Sequence, residues 1–200
     1  FDNANLDGTN LIDSTFIQVD FTEIKNKSLA RADLTHTSFA HSNLSGVDLS
    51  GAILVQTNFW QADLSGVDFS VISNASIFGS TFIESNLSNS NFEGIDLGPK
   101  QQYNKVFENK AYLKNLPHVQ VVRDLWGDAP QVFILSLEVR GNDLAVEFVL
   151  FNSFARANLE NTNFRNTILW NANFNEANLT NADFSGADLR SAFLGGADLS

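Results

Sequence analysis

Three histidines, many serines and 23 acidic residues are the groups in this 200-residue chain that could carry chemistry. His36 and His41 stand five residues apart, and His118 follows Pro117. A zinc site needs several nitrogen, sulfur or oxygen ligands converging on one point. No carboxylate stands at ligand spacing beside His36 or His41, and His118 has no recognisable partner, so all three read as surface residues. The chain has no cysteine, which excludes disulfides, thiolate metal sites and thiol nucleophiles. It also lacks G-x-S-x-G, H-E-x-x-H, a glycine-rich phosphate loop and an EF-hand, the motifs whose spacing delivers a nucleophile, a metal or a phosphate cradle. The expectation is a protein that is not an enzyme and holds no cofactor or metal. The question becomes what positions so many serines and acids.

The positioning element is a five-residue period. From Leu29 the chain places a large apolar residue at Leu34, Phe39, Leu44, Leu49, Leu54, Phe59, Leu64 and Phe69. The same spacing runs from Phe1 to Phe21, from Ile77 to Leu97 and from Phe154 to Leu199, twenty-nine units in all. Two residues before each centre the chain usually carries something small, often alanine (Ala32, Ala62, Ala172) and in places valine (Val47, Val67), and the residue between is mostly Asp or Asn. Five fits neither the helical period of 3.6 nor the strand period of 2. A helix would carry the apolar stripe round its axis, and a flat strand would flip it from face to face. The pattern works if each unit is one short side of a coil followed by a corner. The large residue and the small one two before it then point inward together, while Asn, Asp, Ser and Gly suit the corners. Leu and Phe at such regularity bury themselves, which a disordered polar chain does not.

With Ala32-Asp33-Leu34, Ala62-Asp63-Leu64, Ala157-Asn158-Leu159, Ala187-Asp188-Leu189 and Ala197-Asp198-Leu199, the sequence resembles the pentapeptide-repeat family, whose motif is Ala-Asp/Asn-Leu-x-x. The resemblance covers most of the chain. It implies an all-β fold: a right-handed quadrilateral β-helix, a solenoid with four units per coil. Residues twenty apart should then stack, Phe39 under Phe59 and Phe164 under Phe184, in coils about 4.8 Å apart that make a rod roughly 35 Å long. Asp48 should lie under Asp68, with Asp63 one side earlier. A calcium ion there is conceivable, but solvated carboxylates are the favoured reading. The sequons at Asn43, Asn86 and Asn178 follow from the repeat alphabet. The pattern opens and closes mid-unit, so the chain is expected to be a fragment, a processed chain or a segment of a larger protein, or else to form a homodimer or larger assembly through an uncapped coil end.

Interruptions divide the chain into a first coil part, 1–97, an inserted α+β segment, 98–151, and a second coil part, 152–200. Two steps of eight, Phe21 to Leu29 and Phe69 to Ile77, add three residues at a corner, and the first carries Lys25, Lys27 and Arg31. In the insert, Tyr103, Val106, Phe107, Leu113 and Leu116 suggest a short amphipathic helix stopped by Pro117. Val119–Arg123 reads as a strand and Trp126-Gly127-Asp128-Ala129-Pro130 as a turn. Residues 131–139 and 144–151 read as a β-hairpin around Arg140-Gly141-Asn142-Asp143, with Phe133, Leu135, Leu137 and Val139 on one face. A hairpin apolar on both faces must pack on something, either the flank of the coil or another protein.

The net charge is −11, all of it on the coil parts. That argues against direct nucleic-acid or anionic-membrane binding, and no apolar run is long enough to span a bilayer. Phe1 opens no signal-peptide pattern, and the compartment is left undetermined. The candidate interaction residues are Ile53, Val55 and Trp60 as an outward patch, Trp126, Phe133 and Leu135 on the insert, and Trp170 beneath Arg190 as a cation–π pair. The expected function is a non-catalytic scaffold for protein–protein interaction. The alternative comes from the resemblance: some members of the family bind DNA gyrase as DNA mimics and protect it from quinolones. Eleven net charges along the rod is about one per 3 Å, against one per about 1.7 Å in duplex DNA. An enzyme with its site on the insert has no constellation behind it.

Overall fold

Each five-residue unit makes one bridge and one turn. The central Leu or Phe points inward, and the next two residues form a turn closed by a hydrogen bond to the centre's own carbonyl. Ala32 donates in this way to Leu29, Thr37 to Leu34 and Ser42 to Phe39, each at 3.0 Å. The second turn residue has positive φ, at His36 (57°), His41 (59°) and Gln61 (53°) as at Gly46 and Gly66. A type II turn requires that sign. The Asp/Asn slot completes the corner, because its Oδ1 accepts the backbone N–H two residues on: Thr35 donates to Asp33 (3.1 Å), Ser65 to Asp63 (2.9 Å) and Thr180 to Asn178 (3.1 Å). This is the physical reason that slot is filled by Asp or Asn.

The computed structural model describes residues 1–73, 76–98, 102–108, 110–115, 132–140 and 142–200. Parallel bridges join slot residues four units apart, which is twenty residues where the period is unbroken, twenty-three across a step of eight and seventy-two across the long interruption, so the chain returns to the same side every four units and builds four ladders. Ladder I runs through Ser28–Asp48 and Asp68–Asn91–Asn163–Asp183. Ladder II runs through Asn10–Asp33–Ile53 and Asp96–Ile168–Asp188. Ladder III is Thr15–Ser38–Asn58–Thr81–Ser153–Asn173–Phe193, and ladder IV is Asp20–Asn43–Asp63–Asn86–Asn158–Asn178–Asp198. Across the long interruption the partners are Thr81 with Ser153, Asn86 with Asn158, Asn91 with Asn163 and Asp96 with Ile168. The coil after the interruption therefore stacks directly on the coil before it.

The core is a set of side-chain columns. On ladder III the centres Phe16, Phe39, Phe59, Phe82, Phe154 and Phe174 stack with centroids 5.0–5.5 Å apart. On ladder I, Phe69, Phe92, Phe164 and Phe184 stack at 4.4–5.1 Å. The two columns face each other and meet edge to face, as Phe92 and Phe154 do at 5.7 Å and 90°, the geometry the ring quadrupole favours. Ladders II and IV fill the space between with buried leucines such as Leu34, Leu54, Leu64 and Leu87. Where Thr replaces Ala in the inward slot its hydroxyl is satisfied by the neighbouring coil: Thr57 donates to the Leu34 carbonyl and Thr162 to that of Leu87, both at 2.9 Å.

The first three-residue addition forms a 3-10 turn, Lys25–Lys27, with positive φ at Asn26 and Lys27. Between the coil parts lies a three-stranded antiparallel sheet: β1 (Gln102–Phe107), β2 (Val132–Arg140) and β3 (Asp143–Leu150), in the order β1-β3-β2. The amphipathic helix expected through Tyr103, Val106 and Phe107 is not there. Those residues are β1, paired with β3 from Gln102–Val149 to Phe107–Leu144. Aromatic and β-branched residues favour a pleated surface once a partner strand offers one, and β3 is that partner. Only a 3-10 turn, Ala111–Asn115, follows, and its Leu113 is buried, as are Leu144 and Val146 of β3. The hairpin itself forms, with a register shift between Ile134 and Ser136. Leu116, His118, Val119–Arg123 and the Trp126 turn lie outside the described residues.

Candidate interaction surface

Sorting the slot residues by ladder separates the charge. The slots of ladders I, II and IV carry three aspartates each: Asp48, Asp68 and Asp183; Asp33, Asp96 and Asp188; Asp20, Asp63 and Asp198. Ladder III carries none. Lys25 and Lys27 stand in the turn entering ladder I, and Arg31 and Arg165 in turns leaving it. Among the described turns of the coil, Val71 is an exposed apolar residue beside ladder I, and the others border the opposite side. Ile12 and Trp170 lie in turns along one edge of ladder III, Ile17 and Trp60 in turns along the other, and Phe193 on the ladder itself.

Trp60 is 41% exposed, with the His41 ring against it at 4.7 Å and 66°. Beside it, Gln61 Nε2 donates to Glu84 at 2.5 Å and Arg156 pairs with the same carboxylate at 2.7 Å. The Gln61 hydrogen bond foremost, with the Arg156 charge and the Trp60 indole behind it, holds the Glu84 carboxyl below its ordinary range. Ile53 and Val55 are half-buried on ladder II and the turn after it. They border one edge of ladder III and Trp60 borders the other, so the three do not form one cluster. Trp170 is 39% exposed. The Arg190 guanidinium lies 4.4 Å from its ring centroid, and its indole N–H donates to Asp188 at 2.7 Å. Arg190 also grips Asp188 through Nε and a terminal nitrogen. The Arg190 hydrogen bond first, and Trp170 second, lower the Asp188 carboxyl to about 2. Phe133 and Leu135 fall on β2 at its register shift.

Some contacts were not legible from spacing. His36 Nδ1 lies 3.1 Å from Asp13 Oδ1, a carboxylate that the coil, not the local sequence, brings to it. Slot amides form side-chain ladders: Asn178 donates to Asn158 (2.9 Å), Asn158 to Asn86 (3.2 Å) and Asn86 to Asp63 (3.1 Å), while Asn163 donates to Asn91 and Asn91 to Asp68, both at 3.0 Å. The sequon residues Asn86 and Asn178 are thus tied into ladder IV. Asp48 and Asp68 accept from the backbone and hydroxyl of Ser50 and Ser70. Among the described residues no group of three or more His, Asp or Glu gathers as metal ligands, so nothing supports the calcium reading. Numbering units modulo four, with the two steps of eight discounted, is the sequence signal that would have exposed ladder III.

The profile of a family described as pentapeptide repeats matches residues 1–25, 32–70 and 153–196, in eight copies, just over half of the chain. The chain belongs to the pentapeptide-repeat family. Among solved structures, it is similar to HetL, a pentapeptide-repeat protein involved in heterocyst differentiation regulation from the cyanobacterium Nostoc sp. strain PCC 7120, at 20% identity and a TM-score of 0.62 over 94% of this chain. It spans 60% of HetL's length. A trypsin-treated form of QnrB1, a plasmid-mediated fluoroquinolone resistance protein, matches all of this chain and 70% of its own at 19% identity, with a TM-score of 0.42. Rfr23, a pentapeptide-repeat protein from the cyanobacterium Cyanothece 51142, matches 96% of this chain and 85% of its own at 19% identity, with a TM-score of 0.26. No curated protein matches the sequence. The HetL likeness agrees with a repeat β-helix. No helix among the described residues is long and apolar enough to cross a membrane.

Proposed function

We propose that this pentapeptide-repeat chain is a non-catalytic scaffold whose flat sides bind another protein. The observation that carries the reading is the commitment of the slot side chains. Asp33, Asp63, Asn178 and their equivalents spend their oxygens on corner N–H groups, which makes them structural rather than poised for chemistry. What the coil offers a partner is a rigid, periodic surface. In this reading the coil is right-handed and four-sided, with 1–97 and 152–200 as its two parts and 98–151 inserted between them. The twenty-residue return of four ladders supports the four sides. Cross-linking of the purified chain with a candidate partner, followed by mapping of the linked residues, tests it. Links clustered on one side are expected, and links scattered evenly over all four sides would sink it.

A second reading, mimicry of DNA toward a gyrase-type topoisomerase, is favoured by the nine slot aspartates on ladders I, II and IV. Gyrase supercoiling with and without the purified chain tests it. An unchanged supercoiling rate and unchanged quinolone inhibition would remove it.

A further inference from the structure

We infer that the stretch of ladder III bordered by Ile17 and Trp60 docks a short basic amphipathic helix of a partner protein. The inference rests on the scaffold reading and adds which side is used and what it takes.

Three successive rungs, Thr15, Ser38 and Asn58, carry no charge. Ile12 (40% exposed) lies along one edge of them, and Ile17 (57%) and Trp60 along the other. The positive-φ turn positions hold Asp13, His36 and Gln56 at one edge and Gln18, His41 and Gln61 at the other, a polar rim whose one acid, Asp13, lies against the His36 ring. Apolar anchors, an aromatic among them, in a charge-depleted centre with a polar rim are the composition of a protein–protein contact. The charge around the stretch then chooses the partner. Asp33 lies on the neighbouring ladder II, and Asp20 and Asp63 on the neighbouring ladder IV, so acids stand on both flanks. Lys25, Lys27, Arg31 and Arg165 stand beside ladder I, across the core, and Arg156 and Arg190, which border later rungs of ladder III, are paired with Glu84 and Asp188. A helix that lays an apolar stripe along ladder III and reaches sideways with lysines or arginines meets opposite charge on each flank, and an acidic helix meets like charge. The stretch is closed at the Thr81–Ser153 bridge, where Ser153 is fully buried. Three rungs span about 10 Å, and two helical turns span about 11 Å.

The probe is a fluorescein-labelled 14-residue peptide of leucine and lysine with leucines at helical spacing. Two further peptides accompany it: one with glutamate in place of lysine, and one with the same leucine and lysine content in strict alternation. Anisotropy titrations use the full chain. The helical Leu/Lys peptide is expected to bind most tightly, with the other two at least about tenfold weaker. Trp60→Ala with Ile17→Ser should weaken it by about tenfold, the loss of roughly one anchor residue. Val71→Ser, which removes an exposed apolar side chain away from ladder III, should leave it within about twofold. If the double variant fails to fold, Gln18→Lys serves in its place, and should weaken the Leu/Lys peptide while strengthening the Leu/Glu one. Equal binding by helical and alternating peptides, or an affinity indifferent to the ladder III variants, overturns the inference. Binding indifferent to those variants leaves the scaffold reading standing with its contact elsewhere, whereas scattered cross-links would remove the scaffold reading itself.

Discussion

Asn158 donates its side-chain amide to Asn86, seventy-two residues earlier in the chain, at 3.2 Å. The two stand on adjacent rungs of ladder IV, one on each side of the long interruption. Asn86 in turn donates to Asp63, and Asn158 accepts from Asn178, so each amide both gives and receives.

The chemistry of that ladder predicts different outcomes for two isosteric changes. Asn158→Asp replaces a donor by an acceptor that faces the Asn86 oxygen, and should lower stability by about 1 kcal/mol. Asp63→Asn at the foot keeps the accepting oxygen and should change stability by less than about 0.5 kcal/mol. Urea denaturation of both variants decides it, and equal effects would contradict the ladder.

Residues 153–168 make the bridges across the interruption, and Asn152 ties the junction by donating to the Leu97 carbonyl and accepting from the Ser80 N–H, both at 3.0 Å. Deleting residues 100–151 restores a step of five from Leu97 to Phe154. The deletion places Pro99 in the turn position that needs positive φ, which proline cannot adopt, so the variant includes Pro99→Asn. It should keep its β-type circular dichroism and melt within about 5 °C of the intact chain. A lost transition would show that the sheet segment is needed to hold the two coil parts together.

Phe59 is fully buried between Phe39 and Phe82. Phe59→Ala should cost about 3–5 kcal/mol, since two stacked rings border the cavity and cannot both collapse into it. Phe59→Leu should cost far less, about 1 kcal/mol, because ladders II and IV already place leucine at the same position. Chemical denaturation of the pair measures the difference.

Asp188 supplies a pH test. Its carboxyl is lowered to about 2 in the folded chain, by Arg190 first and Trp170 second, from an ordinary 3.8. A lowered acid contributes its stabilisation above 3.8 and loses it as the pH falls toward 2. Carbon-13 NMR of the carboxyl should show titration near 2, and Arg190→Gln should raise the midpoint toward 3.8. Trp170 fluorescence should follow the same midpoint in each protein. A midpoint that Arg190→Gln does not move would refute the assignment.

Most of the coil was legible in sequence because a five-residue period has one way to bury its large residue. Phe59 over Phe39 and Arg190 over Trp170 follow from a twenty-residue return. The steps of eight shift the arithmetic to twenty-three, as for Phe59 under Phe82, and that shift hides which turns share a side. Ile53, Val55 and Trp60 look adjacent along the chain, yet ladder III runs between them. The segment around β1 reads as a helix in sequence because Tyr103, Val106, Phe107 and Leu113 fit a helical stripe on their own. What makes 102–107 a strand is β3, forty residues away, and no local pattern announces that partner. Likewise the Asp13 contact of His36 and the Arg156 contact of Glu84 join residues that only the coil brings within reach.

The amides on ladders I and IV all point one way, oxygen toward the later coils and nitrogen toward the earlier ones. Their dipoles add along the axis rather than cancelling. At the donor end of each series stands an aspartate, Asp63 or Asp68, in the position an acid takes at the amino end of an α-helix. The rod has a polarity written in side chains, and it is electrically terminated from within.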